Sequence, residues 1–548
     1  MKKSGKRWEI SLPFIITILL FGGFYSFSVY LVGAIILLLL FWRLGNQKKS
    51  RVAKSELFYG SILLCASALV SVMAGVNKGM AWYGFLRVLV FAVWLFYLMQ
   101  FSAEERDEVL TVIPWSGGAV VLIGILSLLL SKIWPVVGAL FWQAKRLGGT
   151  FQYSNTCALF LLIGMLVLAG QQQIGKKELA LFDVLLVGIF LTGSKGGILL
   201  LIPVFLWIII KQKAFRKNGI LVISMLVVAS LVYGYISGDF QNIARIYTIL
   251  QYPSTLLGRL LYMKDALPVL LTHPLGIGYM GYAGMQGTIQ TGVYTSLFVH
   301  NDWMQMGLDY GWLFMIASVG IVVCQLKRGK QETWKKIALF LICSYSLLDF
   351  HFQYLSIVMV LPLLMDFKEN SVIEKKAIVA KENQIFALIG AVIFGYFAVA
   401  SLGTYMRKYE VAISMFPYDT NAMEALLLEE TDKESAKDLA KDILNLDKDN
   451  AQAYNTLAYA ALMDGEYERA LEYKLEVLKR EKYNMAQYAD FISIVETIKS
   501  VPQVEAAFCE KKMQEMQALL AETKEQTSEI AYYLRDKPEF VIPNVSEE

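Results

Sequence analysis

The sequence predicts an all-α protein in which a polytopic bundle of membrane helices precedes a soluble helical domain. The 548 residues are 56% hydrophobic and only 18% charged. The mean hydropathy of +0.48 is too high for a soluble protein of this length. Apolar stretches of membrane-spanning length recur as far as residue 404, and beyond it the chain is polar, charged and helix-prone.

We therefore expect three parts. Residues 1–404 form a multispan membrane domain that includes an extracytoplasmic loop at 238–302. Residues 405–537 form a helical domain outside the membrane, and residues 538–548 form a disordered tail.

The membrane domain divides into about thirteen predicted spans, since a span needs about 20 mainly apolar residues. The apolar run to Trp42 is too long for one helix, so the chain must turn near Gly22-Gly23. The spans lie near 10–25, 28–43, 56–76, 81–101, 110–131, 153–170, 178–193, 196–210, 219–237, 303–326, 335–350, 353–367 and 384–404.

Lysine and arginine concentrate in alternate loops, which predicts the orientation. The basic loops are 43–54, 211–217, 327–336 and 368–381. We expect these loops and the N-terminus in the cytoplasm, and the 238–302 loop and the C-terminal domain outside. The basic start of the chain is followed by an apolar run without a small-residue cleavage site, which favours a retained first span over a signal peptide.

The C-terminal domain contains a 34-residue window, 451–484, with the residue pattern of a tetratricopeptide repeat. The window 417–450 repeats the pattern weakly, and a third helical pair is expected from Met485 to about Ala521. A generic amphipathic helical domain remains the alternative. The matching positions are Tyr454, Leu457, Ala458, Gly465, Tyr467, Ala470 and Val477.

Several classes of site find no support in the sequence. The five cysteines form no CxxC pair, which argues against a disulfide framework and a zinc site. No glycine-rich nucleotide motif, zinc-hydrolase HExxH or serine-hydrolase GxSxG is present. The acidic residues predicted to lie outside are scattered, so they do not indicate a metal site.

His300 is the first candidate for catalysis. A lone histidine is more often structural, but this one lies beside Asn301 at the predicted outer end of a span. Imidazole titrates at about pH 6.5 and there could accept a proton from a hydroxyl group. His273 fits a role in loop structure better, and for His351 either interpretation is open.

Arg146, Lys195 and Arg259 are candidates for binding an anion on the outer face. Arg146 lies in a predicted outer loop, and Arg259 in an amphipathic helix of the 238–302 loop, which also holds Arg245. Guanidinium groups match phosphate oxygens, although snorkelling at the membrane surface is the alternative role. Lys195 lies between two closely spaced apolar runs, where a cation needs a polar cavity or an anionic partner. Gly196-Gly197 would permit a close backbone approach or an irregular turn there.

Four segments of the sequence resemble motifs that occur together in a known family of membrane proteins. RLGGTFQYSNTCA at 146–158 resembles an R-x-x-G-T/S-F-x-x-x-N motif, and LTGSKGG at 191–197 resembles T-x-S-R-G-G. Residues 258–278 resemble an R…A-L…H/N-P-L-G-x-G segment, and HNDWMQMGLDYG at 300–311 resembles H-N-x-x-L-Q-x-x-x-E-x-G. In this order the segments resemble the O-antigen ligase and O-antigen polymerase superfamily of bacterial envelope glycosyltransferases, in which a tetratricopeptide-like C-terminal domain also occurs. The resemblance covers about residues 10–404.

The resemblance implies a glycosyltransferase of envelope polysaccharide biosynthesis, in the bacterial cytoplasmic membrane. It implies an undecaprenyl-diphosphate-linked glycan donor and an acceptor hydroxyl on a glycan, a lipid or a protein. Arg146, Lys195 and Arg259 would then bind the diphosphate, and His300 would be the general base or would position the acceptor. Cations stabilise the leaving diphosphate without a metal, so no metal or cofactor is expected.

Asn155, Asn301 and Asp349 are expected to support this site. Lys195 replaces the arginine that is usual in the family, which keeps the charge but loses the bidentate fork. The segment 344–350 resembles a late-span motif whose initial histidine is absent here, so the resemblance extends only to Asp349.

Two other functions compete with transfer. A lipid-linked polysaccharide flippase or transporter should carry charges within its spans and often shows inverted repeats, neither of which the sequence indicates. A membrane-anchored envelope scaffold, which would recruit a protein partner through its C-terminal domain, leaves the long multispan region unexplained. Polymerase and ligase activities remain open alternatives, and no nucleic-acid partner is expected.

Overall fold

Helices make up most of the structure, a computed structural model that describes residues 7–237, 254–375, 377–501 and 505–543. Before residue 238 the helices are α1 (Arg7–Leu19), α2 (Ser26–Gln47), α3 (Glu56–Ala74), α4 (Lys78–Leu98), α5 (Ala103–Leu110), α6 (Val112–Leu130), α7 (Pro135–Phe141), α8 (Ser154–Ala169), α9 (Lys176–Thr192), α10 (Lys195–Lys211) and α11 (Lys213–Ser237). From residue 254 to residue 405 they are α12 (Ser254–Thr272), α13 (Gly281–Ile289), α14 (Asp302–Tyr310), α15 (Trp312–Arg328), α16 (Thr333–Tyr345), α17 (Leu355–Leu363) and α18 (Ala377–Tyr405). The C-terminal helices are α19 (Tyr409–Met415), α20 (Thr420–Glu429), α21 (Lys433–Leu446), α22 (Ala451–Met463), α23 (Tyr467–Arg480), α24 (Met485–Lys499) and α25 (Ala506–Gln526).

Within the described residues, four short strands form two antiparallel pairs. Strand β1 (Ser50–Ala53) pairs with β4 (Val372–Lys375), and Ser50 lies opposite Lys375. Strand β2 (Trp142–Gln143) pairs with β3 (Arg146–Leu147) in a tight hairpin, in which Gln143 lies opposite Arg146.

Several helices are apolar enough to cross a membrane. Among the described residues, five helical stretches have both the length and the composition for a span. They are Ser26–Gln47, Glu56–Ala74, Lys78–Leu98, Ala103–Leu130 (α5 and α6 together) and Ile378–Tyr405. Shorter apolar helices cover Trp8–Leu19 and Ser154–Ala169. The count of about thirteen spans remains a prediction.

The predicted turn near Gly22-Gly23 is present. A 3₁₀ turn covers Phe21–Gly23, and all three residues have positive φ angles. A Cβ atom on Gly23 would come within 2.6 Å of the Leu355 Cβ, so packing as well as conformation requires glycine.

The predicted span at 303–326 is divided at Gly311 in the structure, and its crossing of a membrane remains a prediction. Helix α14 ends at Tyr310, and α15 begins at Trp312. Gly311 has a φ of 90°, and a Cβ atom there would lie 2.7 Å from the Pro274 carbonyl oxygen. The apolar pattern continues through this residue, but a close tertiary contact breaks the helix.

Contacts divide the chain into two compact units. The first comprises Met1–Cys65, Arg87–Pro253 and Ile316–Ala398, and the second comprises Ala66–Leu86, Ser254–Met315 and Val399–Glu548. This division does not follow the predicted domain boundary at residue 404, which remains a prediction.

Helix α8 is central to the first unit. Its residues are buried on every face apart from Asn155, as expected for a helix that is apolar all round. It packs against α6, α9, α10 and α16. The start of α8 therefore lies beside the end of α9 and the start of α10.

The C-terminal helices of the second unit pack as successive hairpins. Helices α22 and α23 are joined by a turn in which Gly465 has a φ of 76°, and α24 and α25 follow with a shared apolar core. The tetratricopeptide assignment remains a prediction. In the predicted tail, the Phe540 ring lies 6.1 Å from the Tyr483 ring, whereas residues 544–548 lie outside the described residues.

Candidate active site

In the first unit, hydrogen bonds to the end of α9 and to Asn155 hold Arg146 in place. It lies on β3, and its Nε donates to the Thr192 carbonyl oxygen at the end of α9, at 2.9 Å. Its Nη2 donates to Asn155 Oδ1 at 3.0 Å. The hairpin thus holds a half-buried guanidinium group where α8 begins and α9 ends.

Asn155 connects Arg146 to the buried Asp349. Its Nδ2 donates to Asp349 Oδ2 at 2.7 Å and to Tyr153 Oη at 3.0 Å. Its Oδ1 accepts from Ser194 Oγ at 2.8 Å as well as from Arg146. The amide orientation is therefore determined, since only the oxygen can accept and only the nitrogen can donate.

Asp349 is fully buried and well bonded. It accepts from the Tyr153 hydroxyl at 2.8 Å and from the Phe350 backbone N–H at 3.0 Å, in addition to Asn155. A buried carboxylate is stable only when its oxygens accept such bonds. We call Arg146, Tyr153, Asn155, Ser194 and Asp349 the Asn155 cluster.

Ser194 joins this cluster to the start of α10. Its Oγ caps the helix by accepting from the Gly197 N–H at 3.1 Å, and it lies 2.7 Å from Tyr345 Oη. Lys195 is the first residue of α10, and its side chain is half-buried.

The predicted close approach at Gly196-Gly197 is confirmed. A Cβ atom on Gly196 would lie 2.6 Å from the Tyr345 ring, and one on Gly197 would lie 2.7 Å from the Ala158 Cβ. Both contacts are shorter than side-chain carbon atoms tolerate, so the two glycines let α10 begin against α8 and α16.

His351 extends the polar region beside the Asn155 cluster. It is fully buried, with Nδ1 at 3.0 Å from Thr156 Oγ1, and its ring meets the Tyr345 ring edge to face at 4.4 Å. Sequence reasoning left its role open and did not single out Tyr345 or Thr156. Hydroxyl side chains are common in apolar helices, so these two carried no distinguishing pattern.

In the second unit, His300 has a left-handed backbone. Its φ is 57°, which non-glycine residues rarely adopt and which often marks functional sites. The next residue, Asn301, caps α14, with its Oδ1 accepting from the N–H groups of Trp303 and Met304 at 3.1 and 3.2 Å. Asn301 therefore fixes the point from which the imidazole projects.

The motif residues Gln305 and Asp309 hold the backbone just before His300. Gln305 Oε1 accepts from the Val299 N–H at 2.9 Å, and its Nε2 donates to Asp309 Oδ1 at 2.9 Å. Gln305, Asp309 and Val299 are all buried.

Arg259 lies one turn before Tyr262 on α12, so both side chains share one helix face. The Tyr262 ring lies 5.9 Å from the His300 ring and 4.5 Å from the Tyr294 ring. Burial, together with the neighbouring Tyr282 and Asp265, raises the pKa of Tyr294, which is therefore a neutral hydroxyl donor at physiological pH.

Asp265 ties α12 to the segment before His300. Its carboxylate accepts from the Thr291 N–H at 2.8 Å, from Thr291 Oγ1 at 2.7 Å and from Tyr294 Oη at 2.8 Å. Sequence reasoning did not select Asp265, because a single carboxylate in an amphipathic helix usually faces solvent.

The candidate residues thus fall into two sets. Arg146, Asn155 and Asp349 are hydrogen-bonded together in the first unit, where α10 also begins at Lys195. The second unit holds Arg259, His300 and Asn301, and the convergence of the two sets remains a prediction. Arg245 lies outside the described residues. Within the described part of the chain, no group of three or more His, Cys, Asp or Glu side chains could hold a metal ion.

Comparison with known protein families identifies part of the chain. Residues 180–319 match the family model described as O-Antigen ligase. The matched range includes Lys195, Arg259 and His300, whereas Arg146, Asn155 and Asp349 lie outside it. No curated protein and no solved structure matches the chain.

The family implies glycan transfer in a membrane, and with the apolar helices it indicates a multi-pass protein of the bacterial inner membrane. The matched segment contains three of the four motifs in full: T-x-S-K-G-G, the segment 258–278 and the motif that begins at His300. Over residues 180–319 the chain is therefore similar to the O-antigen ligase family, which supports the resemblance to the O-antigen ligase and polymerase superfamily.

Proposed function

We propose that the protein transfers an oligo- or polysaccharide from undecaprenyl diphosphate to an acceptor hydroxyl at the outer face of the cytoplasmic membrane. The observation that carries the proposal is the Asn155 cluster, in which three motif segments distant in sequence are hydrogen-bonded around Arg146. A guanidinium group fixed in this way suits a diphosphate, whose charge increases as the glycosidic bond breaks.

Arg146 would contact the diphosphate in a fixed orientation. Its Nη2 bonds to the neutral amide oxygen of Asn155, which orients the guanidinium without placing a negative charge at that position. Preorganised donors of this kind stabilise developing charge without reorganising during the reaction.

Lys195 and Arg259 would add further positive charge. Lys195 begins α10, where the helix dipole and the N–H groups of the first turn also favour an anion. Arg259 shares a helix face with Tyr262, whose ring approaches His300. Both side chains would thus act on the donor diphosphate.

His300 would act on the acceptor. Its imidazole either takes the proton of the attacking hydroxyl or orients that hydroxyl, and Asn301 fixes its position by capping α14. The chemistry requires an acceptor hydroxyl to attack the anomeric carbon while the lipid diphosphate leaves. No metal or cofactor is part of the proposal.

The remaining features belong to the same proposal. The bundle has about thirteen spans, the N-terminus is cytoplasmic, and the C-terminal domain is a tetratricopeptide-like region outside the membrane. The donor is a lipid-linked glycan, the acceptor is a glycan, lipid or protein, and the C-terminal domain has an envelope protein as partner.

Deletion of the gene tests the function, with lipid-linked and surface glycans sized afterwards. Accumulated single repeat units identify a polymerase, and accumulated long lipid-linked polymer identifies a ligase. Unchanged glycans contradict both.

Complementation then tests the site. Arg146→Ala should fail to restore the glycans, whereas Lys145→Ala, which removes the exposed neighbouring cation, should restore them. Equal complementation by the two variants would exclude Arg146 from the reaction.

A further inference from the structure

The last helical turn of the second unit contacts the segment that precedes His300. Residues Glu529–Tyr533 form a 3₁₀ turn, in which side chains three residues apart lie on one face. Ser528, Ala531 and Leu534 share that face and are buried, whereas Tyr533 points outwards and is 72% exposed. We call these three buried residues the C-terminal brace.

Ser528 bonds to two segments at once. Its backbone N–H donates to the Thr291 carbonyl oxygen at 2.9 Å, and its Oγ accepts from Lys264 Nζ at 2.9 Å. Thr291 begins the turn that leads towards His300, and Lys264 lies on α12. Through Ser528, the brace therefore contacts both the segment that begins at Thr291 and α12, the helix that carries Arg259.

Ala531 lies directly against Gly292. A Cβ atom on Gly292 would come within 2.7 Å of the Ala531 Cβ and within 3.0 Å of Leu261 Cδ2. Ala531 and Leu261 are fully buried and form one apolar cluster with Tyr294 and Leu534. The contact leaves no room for a larger side chain at either Gly292 or Ala531.

The contacts continue from this cluster to His300. The Tyr294 hydroxyl donates to Asp265 on α12, and its ring packs 4.5 Å from Tyr262. The Tyr262 ring in turn lies 5.9 Å from the His300 ring. Leu261 and Tyr262 are neighbours on α12, so the same helical turn contacts the brace and the imidazole.

The turn between α23 and α24 contacts the end of α13 and the residue that precedes the brace. Lys482 Nζ donates to the Thr288 carbonyl oxygen at 3.0 Å, and burial lowers the pKa of Lys482. Tyr483 Oη lies 3.0 Å from Thr527 Oγ1, next to Ser528. The C-terminal region thus contacts the end of α13 and Thr527, just before the brace, through the adjacent residues Lys482 and Tyr483.

From these contacts we infer that the C-terminal brace is a positioning element for transfer, which holds the segment 288–300 and α12 so that His300 and Arg259 keep their orientation. The inference rests on the proposed function and extends it. The C-terminal domain is then part of the machinery that shapes the reaction site, in addition to any protein that it recruits.

The test uses the full-length protein, purified in detergent, with a lipid-linked glycan donor. Ala531→Leu should displace Gly292, while Glu529→Leu introduces the same side chain on the exposed face of the same turn. Ala531→Leu should lower kcat by at least about tenfold, because misplacing a reacting group by about 1 Å reduces rate strongly. It should also raise the donor KM, because Arg259 would contact the donor. Glu529→Leu should leave both constants unchanged.

Hydrogen–deuterium exchange gives a readout that does not depend on transfer. Amides of residues 291–301 should exchange faster in Ala531→Leu than in Glu529→Leu. If Ala531→Leu fails to fold, the milder Ser528→Ala and Leu534→Ala variants should show the same faster exchange and lower kcat, and Ser528→Thr should restore both.

Failure of the positioning role can be distinguished from failure of the proposed glycan transfer. Unchanged exchange and kcat in the brace variants would overturn the positioning role even if the wild type transfers glycan. Absence of transfer by the wild type would overturn the proposed function and with it the effect of the brace on catalysis.

Discussion

The side-chain amide of Asn155 donates a hydrogen bond to the buried carboxylate of Asp349 at 2.7 Å. The oxygen of the same amide accepts from Arg146 Nη2 at 3.0 Å. A neutral group therefore lies between a cation and an anion and satisfies both. This arrangement makes the identity of residue 155 testable by exchanging its amide for a carboxylate.

We expect Asn155→Asp to destabilise the protein and to abolish transfer. The new carboxylate would face the buried Asp349 at hydrogen-bond distance, where the lost amide donor and the repulsion of two negative charges together cost about 3 kcal/mol or more. Thermal unfolding of the purified protein and glycan sizing in complemented cells measure the two effects. A variant as stable as the wild type would contradict the geometry of the cluster.

The exchanged pair, Asn155→Asp with Asp349→Asn, provides the control. The amide and carboxylate then change places, so most of the stability should return. Transfer should not return, because the carboxylate introduced at position 155 would place a negative charge directly on Arg146 and weaken its attraction for a diphosphate. Recovery of transfer by the exchanged pair would argue against a diphosphate contact at Arg146.

Two substitutions of Lys195 should show whether the transfer rate depends on the positive charge of the side chain or on its shape. We expect Lys195→Gln to reduce the transfer rate by about 100-fold, the effect of losing one preorganised cation or donor. Lys195→Arg should keep the rate within about tenfold of wild type, because the charge remains. The purified protein and a lipid-linked donor give these rates.

The glutamine variant also has an internal control for folding. The unfolding temperature of Lys195→Gln, measured beside its rate, shows whether the loss is catalytic, because a cation in the first turn of a helix does not stabilise that helix through its dipole. A rate loss accompanied by a clear drop in stability would point to a structural role instead.

His300→Asn should retain the fold but lose transfer. Asparagine tolerates a left-handed backbone better than alanine does, so the φ of 57° remains accessible. It has no group that accepts a proton near neutral pH, and general bases contribute about 100-fold to 10,000-fold to a rate. Initial rates measured across pH 5–9 test this, with His273→Asn as the control outside the proposed site.

The outcome for His300→Asn distinguishes two roles. A loss of rate together with the loss of an ionisation from the pH profile supports a general base. A loss of rate with an unchanged profile supports positioning of the acceptor, and an unchanged rate removes His300 from the reaction.

The backbone features that depend on glycine were only partly predictable. The turn at Gly22-Gly23 and the approach at Gly196-Gly197 could be predicted, because paired glycines in apolar sequence have few other uses. Gly311 divides a predicted span without a local signal, since its requirement comes from the Pro274 carbonyl, distant in sequence.

The candidate site also combines residues with a local signal in the sequence and residues whose roles depend on tertiary contacts. Arg146 was identified from the sequence because a guanidinium group in an outer loop matches phosphate oxygens, and Lys195 because a cation between apolar runs needs a specific partner. The roles of Tyr345 and Asp265 depend on which residues fold against them, and neither residue type at those positions is unusual. Individual charges are therefore predictable, whereas the hydrogen-bond partners that orient them are not.

The stability of the second unit should depend on pH through the buried carboxyl group of Asp447. Asp447 is 5% exposed, it accepts from Asn77 Nδ2 at 3.1 Å and from the Asp449 N–H at 3.1 Å, and burial raises its pKa to about 6. The nearby carboxylates Asp449 and Glu424 act in the same direction. The folded state therefore binds a proton more tightly than the unfolded state, in which an aspartate has a pKa of about 3.9.

The stability that protonated Asp447 contributes is complete below about pH 4 and is lost as the pH rises through 6. Asp447→Asn removes the charge, so it should raise the unfolding temperature at pH 8 and have little effect at pH 5. The net gain at pH 8 should be about 1–2 kcal/mol, because the amide gives up one of the two hydrogen bonds. Thermal unfolding at the two pH values measures it.

Asp464 provides a control of opposite sign for this last prediction. Hydrogen bonds from Lys433 and Lys437 lower the pKa of Asp464 to about 2, so its ionised form is favoured in the folded state. Its contribution is present above about pH 4 and is lost only as the pH falls through 2. Asp464→Asn should therefore lower the unfolding temperature slightly at both pH 5 and pH 8. An Asp447→Asn variant that behaved in the same way would show that the burial of Asp447 does not destabilise its charged form.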